Sequence, residues 1–292
     1  MLILLTGILY NEIVYLDEWI NFHKKQGVDL FYIGIKYKTK QQDNKFQELV
    51  KKYQNDKGIV FYHLKQTLYS HVFHFFKHYY ERHINDWVAI IDIDEFLYSP
   101  LDNKKITDII EIYEKEKKYA IGINWKCFGS NNMEKNPEYK VLEKFTRCAN
   151  KHYGINYIVK TLVKINCLDI KNIKKMNIHK YPLKSGYCYY TSNGKNFINH
   201  NKNNIENLKV NRTKYLKFIY NKSTNIACND KYVYADKNPY LILNHYIVRS
   251  KEEYQMKIDN NARRKDRYNI TTFNRLNSVL NEIEDTCILN KL

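Results

Sequence analysis

Trp87-Val88-Ala89-Ile90-Ile91-Asp92-Ile93-Asp94-Glu95-Phe96-Leu97 is the stretch whose reading decides the fold. Residues 87–91 form an unbroken apolar run, of a length suited to a buried strand. Three carboxylates then fall within four residues. On an extended backbone side chains alternate, so Asp92 and Asp94 are expected on one side and Ile93 on the other. Two carboxylates at the end of a buried strand repel unless something positive lies between them. A divalent ion meets that need, and oxygen ligands suit Mn²⁺ or Mg²⁺. Ligands of an open α/β sheet bind outside the carboxyl ends of its strands. The pattern therefore predicts a metal site at which a phosphate-bearing substrate docks. The competing reading is a plain surface turn after a strand.

Working outward, strands and helices alternate. Residues 1–8 read as the first strand, ending at Thr6-Gly7, and 14–26 as a helix with Leu16, Trp19, Ile20 and His23 at helical spacing. Strands over 30–35 and 58–62 flank a helix over 46–53, and a helix over 70–83 precedes the central strand. Beyond the acidic turn come a helix over 106–117, a strand over 120–125, a helix over 141–148 and a strand over 159–165. Residues 184–236 are rich in Asn, Lys and Tyr and show no clear period. Residues 239–250 give a strand and a sharp polar segment, and a helix over 251–263 and a polar C-terminal helix follow. Such alternation predicts an α/β fold, a mostly parallel central sheet with helices on both faces. We expect one domain over 1–258 and a helical tail over 259–292.

The 292 residues are 44% hydrophobic and 15% aromatic, which is enough for a core and argues against wholesale disorder. Net charge is +17, which draws nucleic acid, anionic membrane or phosphorylated small molecules. The cations are scattered, with short clusters at residues 171–175 and 263–267, and there is no arginine-rich arm, zinc-finger spacing or RNA-binding signature. The six cysteines are widely spaced, as expected of reduced thiols in an intracellular protein. The apolar start, residues 2–5, resembles a strand more than a signal peptide, and no run reaches the roughly 20 apolar residues that span a bilayer. A soluble cytoplasmic protein is expected, in which the sequons at Asn211, Asn221 and Asn269 need not be used. The polar C terminus leaves both homodimer formation and docking on a membrane surface open. On the helix over 70–83, His74 and His78 have the spacing of a helical zinc motif, but Phe75 stands where its Glu belongs. A half-buried helix face is the better reading.

Four places together carry a resemblance. They are Tyr10-Asn11-Glu12 with Leu16-Asp17-Glu18-Trp19-Ile20, His23 and Gly27-Val28; the stretch 87–97; Trp125 with Phe128-Gly129-Ser130; and Asn244-His245-Tyr246 with Arg249-Ser250, Glu253-Tyr254 and Lys257. In this order the chain resembles the glycosyltransferase family 92-like group (the former domain of unknown function 23) and related family 2-type enzymes of GT-A fold. The resemblance implies a GT-A-type, Rossmann-like sheet and a metal-dependent hexosyltransferase. Such an enzyme transfers a sugar from a nucleotide-diphosphate sugar, UDP-linked as first expectation, to a hydroxyl of a glycan or glycoconjugate acceptor, with inversion.

By that likeness Asp92, Asp94 and His245 hold Mn²⁺ (or Mg²⁺), Asp92 also meeting the donor ribose. Arg249 and Lys257 face the diphosphate. Thr6, Gly7, Asn11 and Glu12 approach the nucleotide, though Glu12 could equally cap the next helix. Trp125 and Gly129 shape the sugar pocket, with plain core as the other reading of Trp125. Relatives end the second strand in a turn carrying an acid that reads the base, whereas this chain has Ile35-Lys36-Tyr37-Lys38-Thr39. No motif fixes the catalytic base. Glu134 and Glu143 are candidates, with Glu138 and His179 beside them, and Glu95 reads as support for the metal. The other functional class kept open is a nucleic-acid-binding protein or metal-dependent nuclease, which would bind nucleic acid in a steeply salt-dependent way.

Overall fold

The structure is a computed structural model that describes residues 1–292 except 38, 65–69, 136–137, 152, 176–178, 197–237 and 261–267. The basic cluster at 263–267, the sequons at Asn211 and Asn221, Cys228 and most of the polar stretch 184–236 lie outside the described residues.

Strand β1 (Leu2–Leu9) pairs in parallel with β2 (Leu30–Lys36) and with β4 (Trp87–Ile90), and β2 pairs in parallel with β3 (Ile59–His63). Beyond β4 the sheet turns mixed. Strand β8 (Val159–Lys164) is antiparallel to both β4 and β6 (Ala120–Cys127). Strand β10 (Ile242–His245) runs parallel to β6, and β5 (Glu95–Tyr98) closes the edge antiparallel to β10. The order is β3-β2-β1-β4-β8-β6-β10-β5, with the short β9 (Tyr190–Thr191) paired in parallel with β6 off this path. Parallel pairings outnumber antiparallel ones, as predicted.

This order forces curvature. Strands β4 and β5 are separated by three others, about 19 Å across a flat sheet at ordinary spacing. The chain from Ile90 to Glu95 can reach about 17 Å fully extended, and it spends part of that in a turn. The sheet therefore curls, and the curl sets the turn at residues 92–95 over the ends of β8 and β10.

Both faces are covered. Helices α1 (Leu16–Lys25), α2 (Lys40–Lys52) and α4 (Ile106–Lys115) bury Trp19, Phe46 and Ile109 in one cluster with Leu4 and Ala89. Helix α3 (Ser70–Tyr79) buries Val72, Phe75 and Phe76 against Ile3, Leu5 and Val88 on the other. A third cluster joins the end of β6 to α5 (Lys251–Asn260) and α6 (Ile270–Leu280) through Cys127, Tyr254, Phe273 and Leu276. Among the described residues no helix is long and apolar enough to cross a membrane.

Three local expectations need correction. Helix α2 begins at Lys40 rather than 46, because Thr39 and Gln42 form a reciprocal capping box. The helix expected over 141–148 is a loop ending in β7 (Arg147–Cys148). The Val141 and Leu142 amides donate to the Glu18 carboxylate, and β7 pairs with β11 (Ile283–Glu284) from the tail. Burial of Val141, Leu142, Phe145 and Cys148 supplied the helix-like spacing without a helix. Finally, residues 92–95 are not extended. Glu95 N donates to Asp92 O at 3.0 Å across a tight turn, so the alternation expected of Asp92 and Asp94 does not apply.

Candidate active site

The turn at 92–95 is pinned from every side. Ile91 N donates to Leu5 O of β1, Tyr246 N to Asp94 O, and the Trp19 indole N–H to Glu95 O at 2.9 Å. The Asp92 amide donates to Glu95 Oε2 at 2.7 Å. Rigid backbone of this kind fixes where the three carboxylates point.

They divide between two ammonium groups, Asp94 meeting Lys257 while Asp92 and Glu95 share Lys160. Asp94 is buried, with Oδ2 accepting from Lys257 Nζ at 2.7 Å and Oδ1 lying 3.6 Å from His245 Nε2. Burial alone would raise the Asp94 pKa. Lys257, His245 and Arg249 outweigh it and leave the carboxyl well below the usual range. Asp92 is one-third exposed, and its Oδ2 accepts from Lys160 Nζ at 2.9 Å. The same ammonium lies 3.2 Å from Glu95 Oε2, and the Lys160 side chain is 1% exposed. Burial pushes the Glu95 pKa upward, with the Lys160 ammonium pulling it down. His245 is lowered to about 4 by burial, so its imidazole is neutral at pH 7.

Arg249 is the unusual residue of the group. It is 3% exposed and sits at φ 52°, a left-handed conformation that a long side chain rarely adopts. Its guanidinium lies 4.1 Å from the centre of the Tyr15 ring, and its Nε is 3.6 Å from Glu253 Oε1. Tyr15 donates to Glu253, which also accepts from Ser250 N and Oγ. Among the described residues Nε and Nη1 of Arg249 have no hydrogen-bond partner. His245 Nδ1 and Thr6 Oγ1 are orphaned in the same way, as is the Trp125 indole N–H. Unsatisfied buried donors call for an explanation, and a bound polar ligand is one.

The other sequence-predicted residues divide. The Trp125 ring lies 4.3 Å from that of His245 and 5.4 Å from that of His179. Glu12 accepts from Leu9 N at 2.8 Å as the cap of a short turn, yet Arg249, Asp94 and Lys257 all influence its ionisation, which burial shifts upward. Thr6 and Gly7 lie towards the carboxyl end of β1, whereas Asn11 is exposed. Gly129 belongs to another neighbourhood: a Cβ there would meet Asn281 Oδ1 at 2.2 Å, so tail packing explains the glycine. Glu134 is 74% exposed and pairs with Lys251, and Glu143 is exposed beside Lys140. Lys160 and Tyr15 were not predicted as site residues.

An ion held by Asp92, Asp94 and His245 together does not fit this arrangement. Asp94 and His245 converge, but Asp92 is turned to Lys160, and Lys257 already occupies the second oxygen of Asp94. Among the described residues no group of three His, Cys, Asp or Glu side chains is placed to hold a metal.

No family model matches this chain, and no curated protein does. Solved structures resemble it distantly. Among them are S. aureus TarS 1-349 in complex with UDP (14% identity, TM-score 0.36, covering 59% of this chain and 49% of that one) and galactosyltransferase LgtC in complex with donor and acceptor sugar analogs (12%, 0.32, 100% of both). A third is UTP-bound UGPase from Acinetobacter baumannii (8%, 0.33, 76% of this chain and 99% of that one). The matched region spans about half the length of TarS 1-349.

Proposed function

We propose that the chain is a glycosyltransferase that takes its sugar from a nucleotide-diphosphate donor, UDP-linked as first choice, and passes it to a hydroxyl of a glycan or glycoconjugate. The observation that carries this reading is Arg249. A buried guanidinium on a strained backbone, its Nη1 without a hydrogen-bond partner among the described residues, stands with Lys257 at the carboxyl end of β4, where an α/β sheet receives ligands. Two neighbouring cations among ordered carboxylates suit a diphosphate, which arrives anionic and leaves with still more charge on its terminal oxygen.

In the transfer, the bond from sugar C1 to the β-phosphate oxygen breaks and its electron pair goes to that oxygen. The acceptor oxygen bonds to C1, and its proton passes to a base. Arg249 and Lys257 would take the developing charge on the phosphate. Asp94 would hold Lys257 in place, and the Trp125 face would meet the sugar. Thr6, Gly7 and Glu12 would border the nucleotide. His179, which shares the Trp125 ring with His245, joins Glu134 and Glu143 as a candidate base. No step of this proposal passes through a metal ion.

A thermal-shift panel of nucleotide sugars tests it. One donor should raise Tm by several degrees at a concentration about 100-fold over Kd, and Arg249→Met should remove the rise. A chain that responds to no nucleotide sugar, and instead binds RNA or DNA with a steep salt dependence, would sink the reading.

A further inference from the structure

We propose that Lys160 and Lys257 are resident counter-cations of the rim, so that the donor diphosphate binds without a divalent ion. The proposal rests on the nucleotide-sugar reading of the site. Each aspartate of the Asp-x-Asp turn already has an ammonium within hydrogen-bond distance, Lys160 on Asp92 and Lys257 on Asp94.

Neither lysine is a passing surface charge. Lys160 rises from β8 between β4 and β6, and its side chain is almost wholly buried. Its Nζ bridges two carboxylates, at 2.9 Å and 3.2 Å. A lysine sealed in this way is held by its anions and cannot leave without exposing them. Lys257 is fixed twice, by Asp94 Oδ2 at 2.7 Å and by the backbone carbonyl of Ile247 at 2.9 Å.

A divalent ion between Asp94 and His245 would share one carboxylate with the Lys257 ammonium, at a separation where like charges repel strongly in a buried site. It would also lack Asp92, which is engaged by Lys160. Nη1 of Arg249, without a hydrogen-bond partner among the described residues, remains for the phosphate oxygens. Lys257, only part-buried, can bridge from Asp94 to the same phosphates. Charge that a divalent ion would otherwise supply is thus built into the strands and into α5.

Titration calorimetry with UDP as the probe, on the full chain, decides the matter. The affinity measured in EDTA should lie within threefold of that measured in millimolar Mn²⁺. A gain of threefold or more with Mn²⁺ overturns the proposal and leaves the nucleotide-sugar reading standing. Absence of UDP binding in both buffers, together with silence from every other nucleotide sugar, overturns both. Lys257→Gln supplies a second test that does not depend on the buried Lys160. Its affinity in EDTA should fall tenfold or more, with part regained in Mn²⁺ once the ammonium no longer competes for Asp94. Unchanged affinity of Lys257→Gln in EDTA, with the fold intact by circular dichroism, would overturn the proposal.

Discussion

Two buried histidines flank β5, and they are built in opposite ways. Beneath the strand, His23 of α1 is fully satisfied. Its Nδ1–H donates to Trp19 O at 2.8 Å, and its Nε2 accepts from Leu97 N at 3.1 Å. At the rim, His245 of β10 has an orphaned Nδ1 and turns Nε2 towards Asp94 without a hydrogen bond. Burial lowers the pKa of both, His23 to about 3 and His245 to about 4, so both are neutral near pH 7. The difference lies in satisfaction. Where the protein needs a histidine for its own architecture it uses both nitrogens, and where it leaves one open it has kept a place for something else.

The contrast extends to whole regions. The loop after β6 holds Ser130, Asn131 and Asn132 in a closed net with Asn277 and Asn281 of the tail. Its polar character serves to dock α6. At the rim, by comparison, charges are buried, the backbone at Arg249 is strained, and donors are left open.

The largest effect should come from breaking the rim itself. Asp94→Asn leaves the Lys257 ammonium without its anion, and chemical denaturation should show a loss of about 3–5 kcal/mol. A loss under about 1 kcal/mol would mean that the ammonium finds water easily and that the rim is a solvated surface. Next comes a direct trial of the two histidines. His23→Phe strips partners from Leu97 N and Trp19 O and should cost about 2–4 kcal/mol of stability. His245→Phe removes no hydrogen bond, so its stability cost should stay below about 1 kcal/mol, while UDP affinity should fall about tenfold. Equal stability costs for the two would mean that His245 is as fully satisfied in the fold as His23. For the asparagine loop, Gly129→Ala pushes a methyl into Asn281 and the Leu280 backbone. We expect a loss of about 1–3 kcal/mol in melting experiments, with the UDP affinity of the folded fraction unchanged.

Much of this arrangement was readable from residue order. The apolar run at 87–91 found the strand beside β1, and Asp94, His245, Arg249 and Lys257 do come together although more than 150 residues separate the first from the rest. Lys160 escaped notice for a physical reason. In Val159-Lys160-Thr161-Leu162 a lysine alternating with apolar residues looks the same whether its face meets solvent or a curled sheet's interior. The curl is a property of strand order, and strand order depends on pairings with β4, β6 and β10 that no local window contains. The extended alternation expected of Asp92 and Asp94 fails because Glu95-Phe96-Leu97-Tyr98 forms an edge strand of its own, and the chain must turn at 92–95 to reach it. For Gly129, a glycine forced by close packing and one forced by a ligand leave the same letter, and its close approach to Asn281 supplies the packing reason.

The smallest effect, a slope rather than a loss, concerns the protonation of His23. Its folded pKa, about 3, lies below the ordinary value of 6.5 because burial disfavours the charged ring. Between those values the unfolded chain takes up a proton that the folded chain refuses. Stability contributed by His23 is therefore complete above pH 6.5 and drains away as pH falls towards 3. Well below pH 6.5 its share approaches about 1.4 kcal/mol per pH unit. His245 adds a share of the same sign, so the wild-type slope alone cannot separate the two. Urea denaturation of the wild type and of His23→Gln at half-unit steps from pH 7 to pH 5 can. Gln keeps a donor and an acceptor but does not titrate, so its stability should be lower at pH 7 and fall less steeply towards pH 5. Parallel slopes would mean that His23 takes up a proton in the folded state, which the bond from Leu97 N to its Nε2 does not permit.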